Sequence, residues 1–333
     1  MERLDALFRG ARRVCVVSHQ HPDGDALGSA SALVSCLKSF YGAEALAVVP
    51  DAFPRQLDFM AGDVLVHSEE PGRVRGFLSE SDLVVCVDLN ALSRTAGLAD
   101  EIRAVSCPRV VVDHHLDPCR EDFGLVFSDT EVSSASELLF SILMQLPPVD
   151  GDASRLPSDA ALSLMAGMTT DTNNFANSVY PSTFRMASAL LAAGVDRDAL
   201  LSRLYNEYRE NRYRMMGEYL SSMKITPHGM AYMVLSREVA ARFDLADGET
   251  EGFVNMPLGI GNVKVSVFAR EDDGFFRISV RSKKGFSANR LAKEFFHGGG
   301  HECAAGGRLS VPEDVSGVED AGRYMEEVSA RFV

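Results

Sequence analysis

Residues 14–37 read VCVVSHQHPDGDALGSASALVSCL, and this stretch decides the class of fold. The Val-rich run at its start, Val14–Ser18, is typical of a buried strand in a parallel sheet. A loop rich in His, Asp and Gly follows the strand. After the loop, four apolar residues share one face of a helix at i, i+3, i+4 and i+7 spacing: Ala30, Leu33, Val34 and Leu37. A strand, a loop and a helix in this order predict the first unit of an α/β fold.

The same alternation continues through residue 195. Three more Val-rich runs are predicted as buried parallel strands: Ala45–Val49, Leu83–Asp88 and Val110–Asp113. Ser133–Leu146 and Ser158–Met168 are predicted as helices, since each begins with a serine that could cap it. We therefore expect residues 1–195 to form a parallel-sheet α/β domain with flanking helices.

A second, smaller α/β domain is predicted for residues 223–333. Residues 196–222 read as one long helix that links the two domains. Beyond this linker the chain is rich in strand-like segments, with Glu271–Gly274 as a turn: Met230–Leu235, Val263–Ala269 and Phe275–Val280. The total of 333 residues also suits two domains, at ~150 residues for each.

The composition, 46% hydrophobic and 24% charged residues, is that of a globular protein. No apolar run approaches the ~20 residues of a membrane-spanning helix. The opening stretch, MERLDALFRGARRV, lacks the apolar core of a secretory signal. The six cysteines are scattered without a close pair, so neither a disulfide framework nor a thiolate zinc site is indicated. We therefore expect a soluble, cytoplasmic protein without a membrane partner.

The formal charge of −14 argues against a non-specific coat on duplex nucleic acid. Most of the acidity lies in residues 1–222, because residues 223–333 hold 14 basic and 16 acidic side chains. Within the second domain, residues 277–308 carry seven basic and two acidic groups. One basic patch on an acidic protein indicates an anion-binding site of limited size.

His and Asp residues follow the predicted strands at the points where the strands end. In a parallel α/β sheet these ends converge on one ligand-binding edge. A strand-end Asp alone is more often a turn former or a helix cap, but His at two strand ends is not explained by capping. Buried carboxylates repel one another unless a cation neutralises them, and a mixture of Asp and His suits Mn²⁺, with Mg²⁺ less favoured. The donors exceed the needs of one ion, so we expect two divalent ions roughly 3.5 to 4 Å apart, an arrangement for attack on phosphorus.

These motifs resemble the DHH phosphoesterases, a family named for the triplet Asp113-His114-His115. His19-x-x-x-Asp23-x-Asp25 is similar to the family's first motif, Asp88 to its second and Thr170-Asp171-Thr172 to its fourth. Gly298-Gly299-Gly300-His301 resembles the signature of the DHHA1 substrate-binding domain. The resemblance covers nearly the whole chain and implies the compact two-domain branch of nanoRNases with 3′-phosphoadenosine 5′-phosphate (pAp) phosphatase activity, related to the single-strand exonuclease RecJ.

The resemblance also implies roles for the motif residues. One metal ion is expected on His19, Asp23 and Asp88, and the other on Asp25, Asp88, His114 and Asp171, with Mn²⁺ favoured over Mg²⁺ or Co²⁺. Asp113 is expected to orient an imidazole, and His115 to contact the scissile phosphate or to help protonate the leaving oxygen. Asn173 departs from the glycine common in this branch, which alters a loop and not a metal ligand.

The second domain is expected to hold the rest of a short substrate. Arg281 closes a predicted strand and is suited to grip a phosphate, while Ser282 and Asn289 offer hydrogen bonds. Gly298, Gly299 and Gly300 expose backbone N–H groups, to which a helix beginning just after them would add its positive end, and His301 completes the signature. The small basic patch predicts short RNA, dinucleotides or pAp as substrates, with the spacing of the two domains acting as a ruler.

Several functions remain open at this point. Short RNA would be cleaved to nucleoside 5′-monophosphates, with 3′-phosphatase activity on pAp as a second reaction. The alternatives are a linear or cyclic dinucleotide phosphodiesterase, a single-strand DNA exonuclease, a family pyrophosphatase and a non-catalytic nucleotide sensor. A homodimer is expected on general grounds.

Overall fold

The computed structural model describes residues 1–246 and 248–332. The chain divides into two compact units, Met1–Glu207 and Tyr208–Val333. Each unit is built on its own six-stranded sheet flanked by helices, so the expected mixed α/β architecture is confirmed.

The first unit contains a sheet in which every neighbouring pair of strands is parallel. Its strands are β1 (Arg13–Val17), β2 (Glu44–Val49), β3 (Val64–Val66), β4 (Leu83–Val87), β5 (Arg109–Asp113) and β6 (Leu125–Ser128). Their order in the sheet is β3-β2-β1-β4-β5-β6. The chain therefore reverses its direction of winding at β1 and β4, the place where ligands bind in sheets of this kind.

Helices cover both faces of this sheet. They are α1 (Glu2–Gly10), α2 (Gly24–Tyr41), α3 (Pro71–Ser79), α4 (Ala99–Ala104), α5 (Ala135–Leu143), α6 (Ser158–Asp171), α7 (Pro181–Ala192) and α8 (Arg197–Tyr205). Alternate strand residues face opposite layers: Val14 and Val16 pack on the side of α2, α5 and α6, whereas Cys15 and Val17 pack on the side of α3 and α4. Burial on both faces explains the nearly uninterrupted apolar runs of the strands.

Helix α2 is held at both ends and buried along most of its length. The carboxylate of Asp23 accepts hydrogen bonds from the N–H groups of Asp25 and Ala26, and Gly42 ends the helix in the left-handed conformation at φ +65°. A Cβ on Gly28 would lie 2.6 Å from the carbonyl oxygen of Ser163 and 2.9 Å from Cα of Gly167, both in α6. The two helices can approach this closely only because glycine occupies position 28.

The second unit contains a mixed sheet of order β11-β12-β10-β9-β8-β7, antiparallel except for the pair β8 and β9. Its elements are α9 (Glu210–Ser222), β7 (Lys224–Ile225), β8 (Met230–Leu235), α10 (Arg237–Arg242), β9 (Val265–Asp272), β10 (Phe275–Ser282), α11 (Ala288–Phe295), β11 (Gly299–Gly300), β12 (Ala304–Ser310) and α12 (Val318–Phe332). Helices α11 and α12 share the main core of this unit with the sheet, through residues such as Leu291 and Met325.

Two expectations about helices are wrong. The stretch predicted as one helix over 196–222 is two helices, α8 and α9, separated at residues 206–209. Arg209 has extended backbone at ψ 155° while its guanidinium binds the carboxylates of Asp244 and Glu249, a long-range contact that periodicity does not reveal. In addition, no helix begins just after Gly300, because the glycines enter a hairpin in which β11 pairs with β12.

The six cysteines are all free thiols, as expected from their spacing. Among the residues that the structure describes, no helix is both long and apolar enough to cross a membrane.

The contact at Gly28 generates a first prediction. Gly28→Ala forces a methyl group into the backbone of α6, so we expect the first unit to lose about 1 to 3 kcal/mol of stability, seen as a lower thermal midpoint by circular dichroism. The matched control is Gly76→Ala in α3, where a Cβ would meet nothing within 4 Å. That change is expected to stabilise the helix by about 0.5 to 1 kcal/mol. Equal midpoints for the two variants would contradict the packing argument.

Candidate metal centre

Three neighbouring strands deliver the candidate ligands to one edge of the first sheet. Strands β1, β4 and β5 lie side by side, and their carboxyl ends lead directly into His19, Asp88 and His114. Helices supply the remaining candidates, since Asp23 and Asp25 begin α2 and Asp171 ends α6. The structure therefore brings together all six residues predicted as metal ligands within one unit.

One group of donors consists of His19, Asp23 and Asp88, whose ligand atoms all lie within 4.8 Å of one another. His19 Nδ1 lies 2.8 Å from the carbonyl oxygen of Gln20, to which it can only donate a hydrogen. If that proton sits on Nδ1 alone, the lone pair of Nε2 points at Asp88 Oδ2, 3.2 Å away. A lone pair facing a carboxylate is unfavourable unless a cation lies between them, so this geometry suits a metal ion.

The second group consists of Asp25, Asp88 and His114, again with donor atoms within 4.8 Å. Nε2 of His114 lies 3.4 Å from Asp88 Oδ1, 3.5 Å from Asp171 Oδ2 and 3.8 Å from Asp25 Oδ2. Three carboxylates thus surround one imidazole nitrogen. Because both groups contain Asp88, the arrangement suits a pair of divalent cations that share this carboxylate.

The electrostatics of the cluster show the need for a cation. Burial by itself lowers the pKa of His114, but the nearby carboxylates of Asp88, Asp171 and Asp25 outweigh it and raise the pKa to about 10. Burial, together with the charges of Asp88 and Asp171, raises the pKa of Asp25 well above its usual value. Burial opposes ionisation of Asp88 too, yet the imidazoles of His114 and His19 hold its pKa well below the usual range. In the absence of a metal ion, protons on imidazole balance the buried negative charge.

Asp88 also stands out by its backbone and by an unsatisfied oxygen. Its φ is +57°, a left-handed conformation that few residues other than glycine adopt. Among the residues that the structure describes, its buried Oδ1 has no hydrogen-bond partner. A buried carboxylate oxygen without a donor is costly unless an ion completes it, which fits a bridging role for this residue.

Asp25 is held by the first turn of α5. Its two carboxylate oxygens accept hydrogen bonds from the N–H groups of Ala135, at 2.6 Å, and Ser136, at 2.9 Å. A Cβ on Gly167 would lie 2.8 Å from Asp25 Oδ1, so a glycine is needed there. Asp23 combines two roles, because its Oδ1 caps α2 while the residue also belongs to the first donor group.

Asp113 and His115 lie beside the metal-type donors. Asp113 is fully buried, and its Oδ1 accepts a hydrogen bond of 2.7 Å from Nδ1 of His115. On the other side of the ring, Nη1 of Arg94 lies 2.9 Å from His115 Nε2. Arg94 was not among the residues predicted from the sequence. It follows Asp88 by only six residues, and a basic residue so close to a strand-end aspartate indicates a candidate site residue.

Asn173, the departure from the family pattern, has φ +47° in the turn that follows Asp171. Glycine adopts this conformation freely and asparagine tolerates it better than most residues, so the turn is preserved.

The candidate substrate residues lie together in the second unit. Arg281 and Ser282 end β10, Asn289 lies in the first turn of α11, and Gly298–His301 form the adjoining hairpin. The side-chain amide of Asn289 donates to the carbonyl of Gly300, and Arg281 pairs with Ala304 across the sheet. These residues therefore lie close together, but Ser282 and Asn289 are buried and their side chains donate to the carbonyls of Phe286 and Gly300.

The three glycines differ in what they provide. A Cβ on Gly298 would clash with the carbonyl of Gly306, and one on Gly300 would lie 2.7 Å from the carbonyl oxygen of Ala304. Both are explained by the close backbone packing of the hairpin. Apart from the adjacent residues, a Cβ on Gly299 would meet only Lys293 Cε, at 3.8 Å, so this glycine has the most space of the three on its side-chain face.

Comparison with known proteins identifies both domains of the chain. The model of the DHH family N-terminal domain matches residues 13–168, and that of the DHHA1 domain matches residues 229–326. A Streptococcus mutans protein named probable bifunctional oligoribonuclease and PAP phosphatase is 30% identical over 312 residues, which span 90% of this chain and 92% of that protein.

Two solved structures share the fold. The crystal structure of an exopolyphosphatase-related protein from Bacteroides fragilis is 36% identical, covers 99% of this chain and 95% of its own, and superposes with a TM-score of 0.90. The structure of RecJ from Thermus thermophilus, solved in complex with Mn²⁺, is 18% identical with a TM-score of 0.56, and the match covers 99% of this chain and 55% of that one. The resemblance inferred from the motifs is therefore confirmed, and the chain is an enzyme that belongs to the DHH family of phosphoesterases, with a DHHA1 domain following its DHH domain.

Proposed function

We propose that this enzyme is a cytoplasmic, metal-dependent phosphodiesterase that hydrolyses short oligoribonucleotides to nucleoside 5′-monophosphates and removes the 3′-phosphate from pAp. The two donor groups that share Asp88 carry this proposal, since each places three ligand atoms within 4.8 Å of one another. The relative named for both activities supports the choice of substrates, because its similarity extends over both domains.

His19, Asp23 and Asp88 would hold one ion, and Asp25, Asp88, His114 and Asp171 the other. Imidazole and carboxylate donors without a thiolate favour Mn²⁺ over Mg²⁺. The bound ions would activate water and neutralise charge that develops on the phosphate. The protein itself would orient these donors. Asp113 and His115 lie beside the cluster.

The residues of the second unit would bind the remainder of the substrate. Arg281 is suited to a phosphate, and the space on the side-chain face of Gly299 to a second phosphate or a base. Ser282, Asn289, Gly298, Gly300 and His301 would shape this surface, partly through the hairpin contacts described above. A long strand needs many cations along its path, whereas this acidic chain concentrates few basic groups in residues 277–308.

Substrate length gives the most direct test. With Mn²⁺ and 5′-labelled RNA of two to about twenty-four nucleotides, we expect fast cleavage of the two- to five-mers, slow cleavage of longer strands and phosphate release from pAp. Gel analysis of a time course measures these rates, with Asp171→Ala as the blank. Preference for long strands, or for single-stranded DNA, would favour an exonuclease instead. If no substrate gave a metal-dependent product, a nucleotide sensor would be the better interpretation.

Metal binding should be visible as stability. An ion that binds the folded chain at 100 times its Kd adds about 2.7 kcal/mol, so Mn²⁺ is expected to raise the thermal midpoint by roughly 5 to 10 °C. EDTA should reverse this shift. Asp171→Asn should lose most of it, because one donor near His114 is weakened, while Asp58→Asn on an exposed turn of the same unit should keep it. A full shift in Asp171→Asn would remove this residue from the ligand set.

Arg281 should act in binding. We expect Arg281→Ala to raise KM by about 10- to 100-fold, the loss of a charged hydrogen bond, with a smaller change in kcat. Arg277 is the matched control, since it lies on the same strand and pairs with Asp272 at 3.5 Å. Steady-state kinetics on a dinucleotide would compare the two variants. A defect confined to kcat would place Arg281 at the chemical step instead.

A further inference from the structure

Asp113, His115 and Arg94 form a chain of hydrogen bonds at the border of the metal cluster. The bond from His115 Nδ1 to Asp113 is 2.7 Å long, and the contact from Arg94 Nη1 to His115 Nε2 measures 2.9 Å. A guanidinium has donors only, so Nε2 of His115 must be the acceptor. His115 is therefore a neutral imidazole that carries its hydrogen on Nδ1.

This assignment limits what His115 can do. Its only N–H is directed at the buried carboxylate of Asp113, and its lone pair is occupied by Arg94. In this arrangement the ring has no proton to give to a leaving oxygen. Of the two roles expected for His115 from the family resemblance, proton donation does not fit the hydrogen bonds.

Arg94 has an unusual environment for a cation so close to many carboxylates. Within residues 1–246 and 248–332 it forms no ion pair with an Asp or Glu side chain, and its hydrogen-bond partners are His115 and, at 3.5 Å, the carbonyl oxygen of Asp88. A guanidinium has five N–H donors, so most of them are left for another acceptor. The side chain is half-buried, which leaves part of it accessible.

The position of Arg94 is fixed from two sides. Its carbonyl oxygen accepts a hydrogen bond of 2.7 Å from the N–H of Gln20, the residue after His19. Its guanidinium donates a hydrogen bond to Nε2 of His115, whose Nδ1 lies 3.6 Å from Asp88 Oδ1. Arg94 is thus anchored between the first and second motifs, with Nη1 also 3.5 Å from the carbonyl oxygen of Asp88, the residue shared by both donor groups.

An arginine that only balanced the negative charge would be expected to contact a carboxylate. Arg94 instead donates a hydrogen bond to the neutral ring of His115. We propose that Arg94 binds the non-bridging oxygens of the scissile phosphate, and that His115 is a positioning residue that holds the guanidinium in place. This rests on the proposed function in one respect, that the metal centre cleaves phosphodiesters. Planar guanidinium donors match phosphate oxygens in pairs, which an ammonium group does not.

The test compares Arg94→Ala, Arg94→Lys, His115→Ala and the double variant with Arg73→Ala, which removes an exposed arginine on α3. Two substrates are used with Mn²⁺: a short RNA, and bis(p-nitrophenyl) phosphate, whose leaving group needs no proton. We expect Arg94→Ala to lower kcat/KM by about 10- to 100-fold on both substrates. Arg94→Lys should recover little, added guanidinium ion should restore part of the Arg94→Ala activity, and Arg73→Ala should match the wild type.

The double variant separates the two roles of His115. If His115 acts through Arg94, removing both side chains should be no worse than removing Arg94 alone, and the His115→Ala defect should be equal on the two substrates. If the loss of kcat/KM in the double variant equalled the product of the two single losses, and His115→Ala were defective only on RNA, His115 would be the proton donor. That result would overturn the proposal. Arg94→Ala with wild-type kcat/KM would overturn it as well.

The experiment also distinguishes this proposal from the proposed function. Cleavage of bis(p-nitrophenyl) phosphate without cleavage of RNA would reject the RNA substrate and leave the comparison of variants intact. If neither substrate turned over, titration calorimetry of inorganic phosphate into the Mn²⁺-loaded protein would decide: a loss of affinity of tenfold or more in Arg94→Ala supports phosphate binding, and equal affinity overturns it. Circular dichroism and the Mn²⁺-induced thermal shift confirm that each variant is folded.

Discussion

The collection of buried carboxylates at one edge of the first sheet is the constraint on which the rest of the structure depends. Asp25 and Asp88 are both at most 2% exposed, and Asp171 lies close enough to share an imidazole with them. In a low-dielectric setting such charges cannot all remain ionised without cations. The fold supplies imidazoles between the carboxylates, and this mixed set of donors suits divalent ions. The proposed site therefore depends on the spacing of the donors, and not on the affinity of any single residue for a metal ion.

The packing of small residues sets that spacing. Gly28 lets α2 lie against the backbone of α6, Gly167 makes space for the carboxylate of Asp25, and Gly24 faces Thr170 beside Asp171. The start of α2 and the end of α6 carry ligands of the same ion in the proposed assignment. A larger side chain at any of these contacts would move one proposed ligand relative to another. The packing of the helices therefore sets the spacing of the proposed ligands. The α2 sequence, rich in Gly, Ala and Ser, reflects this requirement.

Much of the first unit could be predicted from sequence because its signals are local. A Val-rich run predicts a buried parallel strand, and the end of such a strand predicts a ligand position, which is why Asp88 and His114 were predicted as ligands. Interactions that depend on distant backbone were not accessible: the N–H groups of Ala135 and Ser136 that hold Asp25, and the partner of His115. The glycine run was predicted to lead into a helix because glycine freedom alone does not distinguish a helix start from a tight hairpin. Arg94 was not predicted because the argument for its role depends on the tautomer of His115, which only the hydrogen-bond geometry assigns.

The charge distribution bears on the order of binding. Residues 1–222 are strongly acidic, and the candidate centre adds carboxylates at the place where a phosphate must react. Without cations this edge repels a phosphodiester, and two divalent ions would neutralise the four carboxylates of the proposed ligand set. Metal loading should therefore precede substrate binding, and Arg94 contributes a cation at this edge through its hydrogen bond to His115. A single guanidinium and a small basic patch can orient one or two phosphates but cannot follow a long backbone. This scarcity of positive charge supports the proposed preference for short substrates.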